Sequence, residues 1–385
     1  MIKTERDSIL NRDTYIWGAG KFGTLIALEC ELKNIKIKGF IDTNANQIKM
    51  KFGFPVLEPS IVIRNNDVNH RPYIIIAVKN EKAIKEIIKQ MEEVCLTKNG
   101  DFEIGKFTEA VYIDEYNYTP KHRDSLKNST VGKIMEEWYD TNKEEVVKLV
   151  QKFCSFKKFY EKIPFESDQE GKPRWINNFI SPFDAVSIYS FLAINNPRYY
   201  VEIGSGNITM FAAQSIKDND LRTKIISIDP YPRKEIDKLC HKIYRVPLED
   251  MDMDFFATLS SEDILLIDNS HRSFPNSDVT IFFTEILPIL PKDMLYTIHD
   301  IFLPFDYPEL WSCEQQRWYN EQYLLCAYIL GGAGGDTIIC PNYFLGQKSE
   351  LLGICNSLWG KDCLLENTGF GGGFFWLRKG ANQKV

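Results

Sequence analysis

The sequence predicts an α/β protein made of two Rossmann-like open sheets, a small N-terminal unit and a larger C-terminal one, joined by a helical segment. Three observations carry this. Strand-sized apolar runs alternate with helix-period stretches at both ends of the chain, as parallel sheets require. In each of these regions a strand runs straight into a glycine turn, Gly18-Ala-Gly20-Lys-Phe-Gly23 in the first and Gly204-Ser-Gly206 in the second. Between them, Val131–Tyr160 carries apolar residues at helical spacing among many Lys and Glu. The 385 residues fit two to three domains at ~150 residues each. The divisions are 1–105 for the first unit, 106–175 for the helical connector and 176–385 for the second unit.

Thr14–Trp17 is a short β-prone run, the first glycine turn follows it, and Thr24–Leu32 has helical spacing. Ile35–Ile41 reads as a strand ending at Asp42. Tyr73–Val78 is a continuous apolar run of the kind buried on both faces of a sheet, and Lys79–Val94 returns to helical period. The second unit opens near Phe179 with a helix over Asp184–Asn195. Its strands are Tyr199–Ile203, Lys224–Ile228, Ile243–Val246, Ile264–Ile267 and Leu295–Ile298. Gly369–Gly373 with Phe374–Leu377 reads as a closing antiparallel hairpin, its glycines being turn or bulge residues. The chain contains no internal repeat and no low-complexity segment.

Composition narrows the function classes. Hydrophobic residues at 44% and charged residues at 26% exclude a disordered or fibrous chain. A net charge of −7 speaks against a broad nucleic-acid or anionic-membrane surface, which needs a dense basic face. Nine cysteines, an odd number with no CxxC pair, read as thiols of a reducing compartment. The N-terminal residues lack the apolar core of a secretory signal, and no run approaches the ~18 apolar residues of a membrane span. The expectation is a cytoplasmic protein with no nucleic-acid or membrane partner, extended to a homo-oligomer.

Gly18, Gly20 and Gly23 have the G-x-G-x-x-G spacing after a strand and before a helix, with Asp42 at the end of the next strand. Glycines there allow a tight turn and close approach of backbone to a phosphate at a helix N-terminus, and Asp42 can accept from ribose hydroxyls. This is either a second nucleotide or sugar-nucleotide pocket, or a scaffold or dimerisation module that keeps the turn. Tyr15-Ile-Trp-Gly-Ala-Gly-Lys-Phe-Gly23, Gly39-Phe-Ile-Asp42 and Gly53-Phe-Pro-Val56 resemble the small Rossmann domain of bacterial sugar-modifying enzymes, such as nucleotide-sugar acetyltransferases and polysaccharide epimerases. The resemblance covers residues 12–95 and implies surface-glycan or specialised sugar metabolism.

In the second turn, Tyr200-Val-Glu202-Ile-Gly204-Ser-Gly206-Asn-Ile-Thr209, an acid stands two residues before the first glycine, and the next strand ends in Asp229-Pro230. Thr209 stands where a dinucleotide site would have its third glycine. This pattern resembles the class I S-adenosylmethionine-dependent methyltransferases, over about residues 175–380. The resemblance implies that Gly204 and Gly206 let the donor lie against the backbone, that Glu202 faces its ammonium and that Asp229 takes its ribose. Glu249, after the third strand, is a candidate for the adenine and a solvated turn residue as the alternative. Asn177, Asn178 and Asp184 are read as lining the donor entrance.

Two of the five histidines fall at successive strand ends, in Asp268-Asn-Ser-His271 and His299-Asp300. Ligands of open α/β sheets bind outside the carboxyl ends of strands, so these four side chains are expected to converge beside the donor. The alternative is that each caps its own loop. The pattern resembles the metal-dependent O-methyltransferases, which implies Asp268, His299 and Asp300 as ligands of a divalent cation. His299 departs from that pattern, in which an acid is usual; it makes Mg²⁺ less suited and fits Mn²⁺, Fe²⁺ or Zn²⁺ better. In the metal-free alternative, His271 or His299 is a general base. Asp268, His271 and His299 are the candidate catalytic residues, and Asp268 is also placed in the donor pocket. Asp306, Trp311, Trp318 and Glu321 are candidates for an acceptor pocket, because aromatic faces and carboxylates suit a sugar-like small molecule; an ordinary amphipathic helix is the alternative.

The reading is O-methylation of a sugar, nucleotide-sugar or glycan precursor, with or without the help of a divalent metal. Three alternatives stay open. One is N- or C-methylation of another small metabolite. A second is a nicotinamide-dependent oxidoreductase, against which stands the absence of a Tyr-x-x-x-Lys dyad near the first turn. The third is a non-catalytic nucleotide-binding scaffold.

Overall fold

The computed structural model describes residues 12–32, 35–51, 53–63, 71–78, 80–98, 100–105, 120–167, 169–177, 179–232, 236–315, 317–359 and 371–381. The protein is mixed α/β and divides into two compact units, Met1–Asn117 with Gln315–Arg317, and Tyr118–Glu314 with Trp318–Val385.

The first unit holds strands β1 (Thr14–Trp17), β2 (Ile37–Ile41), β3 (Met50–Lys51), β4 (Phe54–Leu57), β5 (Tyr73–Ile76) and β6 (Phe102–Ile104), in the order β3-β4-β2-β1-β5-β6. All pair in parallel except β3 with β4. β5 is buried at every position, as its unbroken apolar run predicts. The strand order reverses direction at β1, so the end of β1 is the topological switch point where such sheets bind ligands. Helix Lys21–Leu32 leaves from this point and buries Ile26, Ala27 and Cys30. Helix Glu81–Glu93 is started by Asn80, whose side chain accepts the Ala83 N–H at 3.0 Å.

The second unit holds β7 (Tyr199–Ile203), β8 (Lys224–Ile228), β9 (Lys242–Tyr244), β10 (Ile264–Ile267), β11 (Leu295–Ile298), β12 (Thr337–Pro341) and β13 (Phe375–Arg378), in the order β12-β13-β11-β10-β7-β8-β9. Strands β7, β8, β10 and β11 occupy the predicted spans. β9 begins at Lys242, not Ile243, and stops at Tyr244. The closing strand β13 pairs antiparallel with both β11 and β12. Its partner β12 has no counterpart in the sequence reading. Gly369 and Phe370 of the predicted hairpin lie outside the described residues.

The stretch read as a connector contributes to the core of the second unit. Helix Thr130–Cys154 buries Met135, Tyr139, Val146, Val150 and Phe153, and Phe153 meets Phe191 edge-on at 5.2 Å. The helical stretch then breaks at Ser155 and resumes over Lys157–Tyr160. Helix Pro182–Asn195 lies between this outer helix and the sheet, where Phe191 meets Trp376 of β13 at 4.4 Å. Being covered on both sides, it is buried nearly all round, which explains why its apolar residues fall on every face and why it carries no Lys, Arg or Glu. Ser181 caps it and Pro182 takes its first position, so it starts two residues before the predicted Asp184. Among the described residues no helix is long and apolar enough to cross a membrane, and Cys95, Cys240, Cys313 and Cys326 are free thiols.

Candidate active site

At the end of β7 the backbone turns through Gly204, whose φ is +81°. A Cβ at this position would lie 1.7 Å from the carbonyl oxygen of Asp268, so the turn is pressed against the end of β10 as only glycine permits. The Ser205 N–H donates to Asp229 Oδ2 at 2.8 Å and the Tyr231 N–H to Oδ1 at 2.8 Å. Asp229 thus ties the turn to the end of β8, and each of its oxygens keeps a lone pair for a ribose hydroxyl. A Cβ at Gly206 would meet nothing within 4 Å, which leaves open space above the turn.

Thr209 accepts the Gly206 N–H at 3.0 Å and donates to Glu202 Oε2 at 2.8 Å. Glu202 has no exposed surface, and its Oε1 has no hydrogen-bond partner among the described residues. Burial pushes its carboxyl well above the usual range, the Thr209 hydroxyl opposing and the charges of Asp268 and Asp229 adding. Glu202 is therefore a buried carboxyl joined to the turn through Thr209, with one oxygen still to be satisfied.

Glu249 is exposed on the short turn Leu248–Asp250. Asn177 and Asp184 do not line an entrance, and this corrects the sequence reading. Asn177 is buried and accepts the Phe179 and Ile180 N–H groups, both at 3.0 Å. Asp184, 1% exposed, accepts from Gly373 N at 2.7 Å, Phe374 N at 2.9 Å and Asn342 Nδ2 at 2.8 Å. It pins the start of its helix to the strand that closes the sheet. Asn178 lies outside the described residues.

The structure brings Asp268, His271, His299 and Asp300 together, as the strand-end argument expects. Asp268 Oδ1 lies 3.0 Å from His299 Nδ1 and 3.4 Å from His271 Nε2. Asp300 Oδ1 lies 3.6 Å from His299 Nδ1, and its Oδ2 3.4 Å from His271 Nε2. Each imidazole therefore turns one nitrogen toward the two carboxylates, and each has a buried acid behind the other nitrogen. Glu321 Oε2 stands 2.9 Å from His271 Nδ1, and Asp184 Oδ2 3.5 Å from His299 Nε2. His271 and Asp300 both take left-handed backbone, with φ of +60° and +56°.

Burial pulls both imidazoles down, but the surrounding acids win. The charge of Asp300, aided by Asp268 and Glu321, holds His271 well above its ordinary value, and Asp300 with Asp268 does the same for His299. For Asp268, burial pushes up and the two imidazoles, His299 first, pull it far below the usual carboxylate range. Glu321 is pushed up to about 7 by burial, against the pull of His271.

Asp268, His271 and His299 offer ligand atoms all within 4.8 Å of one another. Donors at adjacent positions around an ion bound at ~2.1 Å stand ~3 Å apart, close to the separations here. Four carboxylates around two imidazoles also leave negative charge that a cation would offset. The residues fit a divalent ion.

Glu321, read as an acceptor-pocket residue, is instead fully buried behind His271. The insertion after β11 supplies an aromatic wall. Tyr319 lies against the His271 ring at 4.6 Å, Trp311 meets Tyr319 at 5.9 Å, and Phe302 meets Trp311 at 5.3 Å. Tyr319 is not among the residues the sequence singles out. Asp306 accepts the Tyr323 hydroxyl at 2.5 Å, and Trp318 is half-buried with φ of +57°.

The turn of the first unit repeats the construction of the second. Ala19 N–H donates to Asp42 Oδ2 and Asn44 N–H to Oδ1, both at 2.9 Å. The difference is Gly23, which stands where the other turn has Thr209. A Cβ at Gly23 would lie 1.8 Å from the Gly18 carbonyl oxygen, so the helix sits tight on the turn.

Comparison with known proteins bears on the second unit. Residues 201–301 match the family described as methyltransferase domain. This chain carries a methyltransferase domain. No curated protein matches it in sequence. Among solved structures it is similar to a methyltransferase from the mycinamycin biosynthetic pathway in complex with Mg and SAH, at 15% identity over 51% of this chain and 49% of that one, with a TM-score of 0.31. It is also similar to an SAH-bound methyltransferase of Podospora anserina, at 13% identity over 63% and 96%, TM-score 0.33. A third is an O-methyltransferase from Bacillus cereus in complex with SAH, at 11% identity over 63% and 97%, TM-score 0.29. The chain spans about half the length of the first of these.

Proposed function

We propose that the second unit transfers a methyl group from S-adenosylmethionine to a hydroxyl of a sugar, nucleotide-sugar or glycan precursor. The observation that carries this is the Gly204–Asp268 contact. The turn suited to an adenosyl donor and the carboxylate–imidazole centre share one junction of strand ends, so donor methyl and acceptor oxygen meet there. Gly204 and Gly206 give the donor its bed and Asp229 takes the ribose. Glu202, whose second oxygen has no partner among the described residues, is the counter-charge for the donor's ammonium. Asp268, His299 and Asp300 would hold a divalent cation, which supplies Lewis acidity to the acceptor hydroxyl. His271, oriented by Glu321, takes the hydroxyl proton on Nε2. The rest of the rate comes from aligning oxygen, methyl and sulfur. The aromatic wall of Tyr319 and Trp311 suits the C–H faces of a sugar.

Titration with S-adenosylhomocysteine tests the donor site, and absence of binding at high micromolar ligand sinks the reading. A screen of nucleotide sugars with labelled donor tests the acceptor class. Full activity after exhaustive chelation removes the metal, and wild-type turnover of His271→Ala removes the base. For the first unit we propose a nucleotide or sugar-nucleotide pocket at Gly18, Gly20, Gly23 and Asp42, supported by its repetition of the Asp229 turn. Nucleotide-sugar binding unaffected by Asp42→Ala would overturn that.

A further inference from the structure

The proposed centre differs from an all-oxygen site in one respect that bears on which ion it holds. Of the three side chains read as its ligands, His299 offers nitrogen. Its Nδ1 faces Asp268 and Asp300 at 3.0 and 3.6 Å. The ring is held in that sense by the buried carboxylate of Asp184 on the Nε2 side and by Phe374, whose ring meets it edge-on at 4.8 Å. A buried acid behind one nitrogen of a histidine is the arrangement that keeps the opposite nitrogen bare and basic as a metal ligand. His271 repeats it, with Glu321 at Nδ1 and Nε2 turned to the same two carboxylates, close enough to add a second nitrogen when no acceptor is bound.

Mg²⁺ is a hard ion that prefers oxygen and keeps several waters, whereas Mn²⁺, Fe²⁺, Co²⁺ and Zn²⁺ accept imidazole readily. We propose that this centre selects a first-row transition-metal ion over magnesium, with His299 Nδ1 in its donor set. This rests on reading Asp268, His299 and Asp300 as a cation site, and the experiment separates the two.

The full-length protein, stripped with chelator and dialysed, is titrated calorimetrically with Mn²⁺, Co²⁺, Zn²⁺ and Mg²⁺, and in parallel with S-adenosylhomocysteine. The visible absorption of bound Co²⁺ reports nitrogen coordination without recourse to activity. The expected result is binding of Mn²⁺, Co²⁺ and Zn²⁺ about tenfold or more tighter than Mg²⁺, and a Co²⁺ spectrum that changes in His299→Ala. In His299→Asp, the gap between Mn²⁺ and Mg²⁺ narrows about tenfold. Should that variant fail to bind S-adenosylhomocysteine, the wild-type Mn²⁺ to Mg²⁺ ratio and Co²⁺ spectrum still decide. Mg²⁺ binding as tightly as Mn²⁺, or a Co²⁺ spectrum indifferent to His299, overturns the proposal. If S-adenosylhomocysteine binds and no metal does, the metal inference fails and the methyltransferase reading stands. Metal binding of the expected order without S-adenosylhomocysteine binding does the reverse.

Discussion

Replacing Gly204 with alanine tests the junction on which the proposed chemistry depends. The added Cβ would stand 1.7 Å from the Asp268 carbonyl oxygen and 2.7 Å from its carbon, where real Cβ atoms keep at least 3.0 Å. Both contacts are backbone, so no side chain can swing aside, and the ends of β7 and β10 have to separate by roughly an ångström or more. The left-handed backbone at +81° adds about 1–2 kcal/mol for any residue with a Cβ. Overpacking adds about 1–3 kcal/mol more. The sum, about 2–5 kcal/mol, corresponds to a melting temperature lower by about 5–15 °C for a unit of this size. The separation displaces the Ser205 N–H from Asp229 or the Asp268 carboxylate from its histidines, so S-adenosylhomocysteine affinity drops about tenfold or more, equivalent to about 1.4 kcal/mol. Differential scanning calorimetry and isothermal titration read the two effects. A variant with wild-type melting and wild-type affinity would refute the reasoning, since the two strand ends could not then be in contact.

Three further expectations concern single carboxylates. Glu321→Gln removes a charge that holds His271 above its ordinary value, so the midpoint of the pH–rate profile moves down while the maximal rate falls about tenfold or more; an unmoved midpoint argues against the dyad. Glu202 is held protonated above the usual range by burial, and a cationic donor favours its ionised form. Donor affinity should therefore rise with pH and binding should release a proton, detectable by calorimetry in buffers of different ionisation heat; Glu202→Gln should abolish that release, and a pH-independent wild type counts against the role. Asp184→Ala leaves two backbone N–H groups without their acceptor and takes from the Asn342 amide one of its two, and should cost about 3–5 kcal/mol in urea denaturation; a loss below about 1 kcal/mol contradicts the anchoring described.

The central strands are legible because parallel strands buried on both faces must be apolar throughout, and β7, β8, β10 and β11 are. Strand β12 is not, because its partner β13 follows it by more than thirty residues and its own run, Thr337–Pro341, lacks a period. The connector reading fails for a related reason. Lys and Glu on the solvent side of helix Thr130–Cys154 show that one face is wet, but say nothing about which helix receives Phe153. At the site, chain position alone brings Asp268, His271, His299 and Asp300 together, since sheet topology fixes where strand ends lie. Glu321 and Asp184 are visible as polar residues near the site, but their burial behind the histidines depends on tertiary packing. A carboxylate with no sequence signal of burial reads as solvated until its neighbours are known. Tyr319 escapes notice because one tyrosine among several aromatics carries no distinguishing spacing.

His271, Asp300 and Trp318 all hold left-handed backbone without being glycine. The handedness of L-amino acids disfavours that conformation, and a bulky tryptophan least suits it. The surrounding fold therefore keeps these three residues in place against their own local preference. Glycine at any of them would relax the chain while removing an imidazole, a carboxylate or an indole. Resistance to heat and competence for chemistry thus pull in opposite directions at these positions, and selection for stability alone would be expected to erode the site first here.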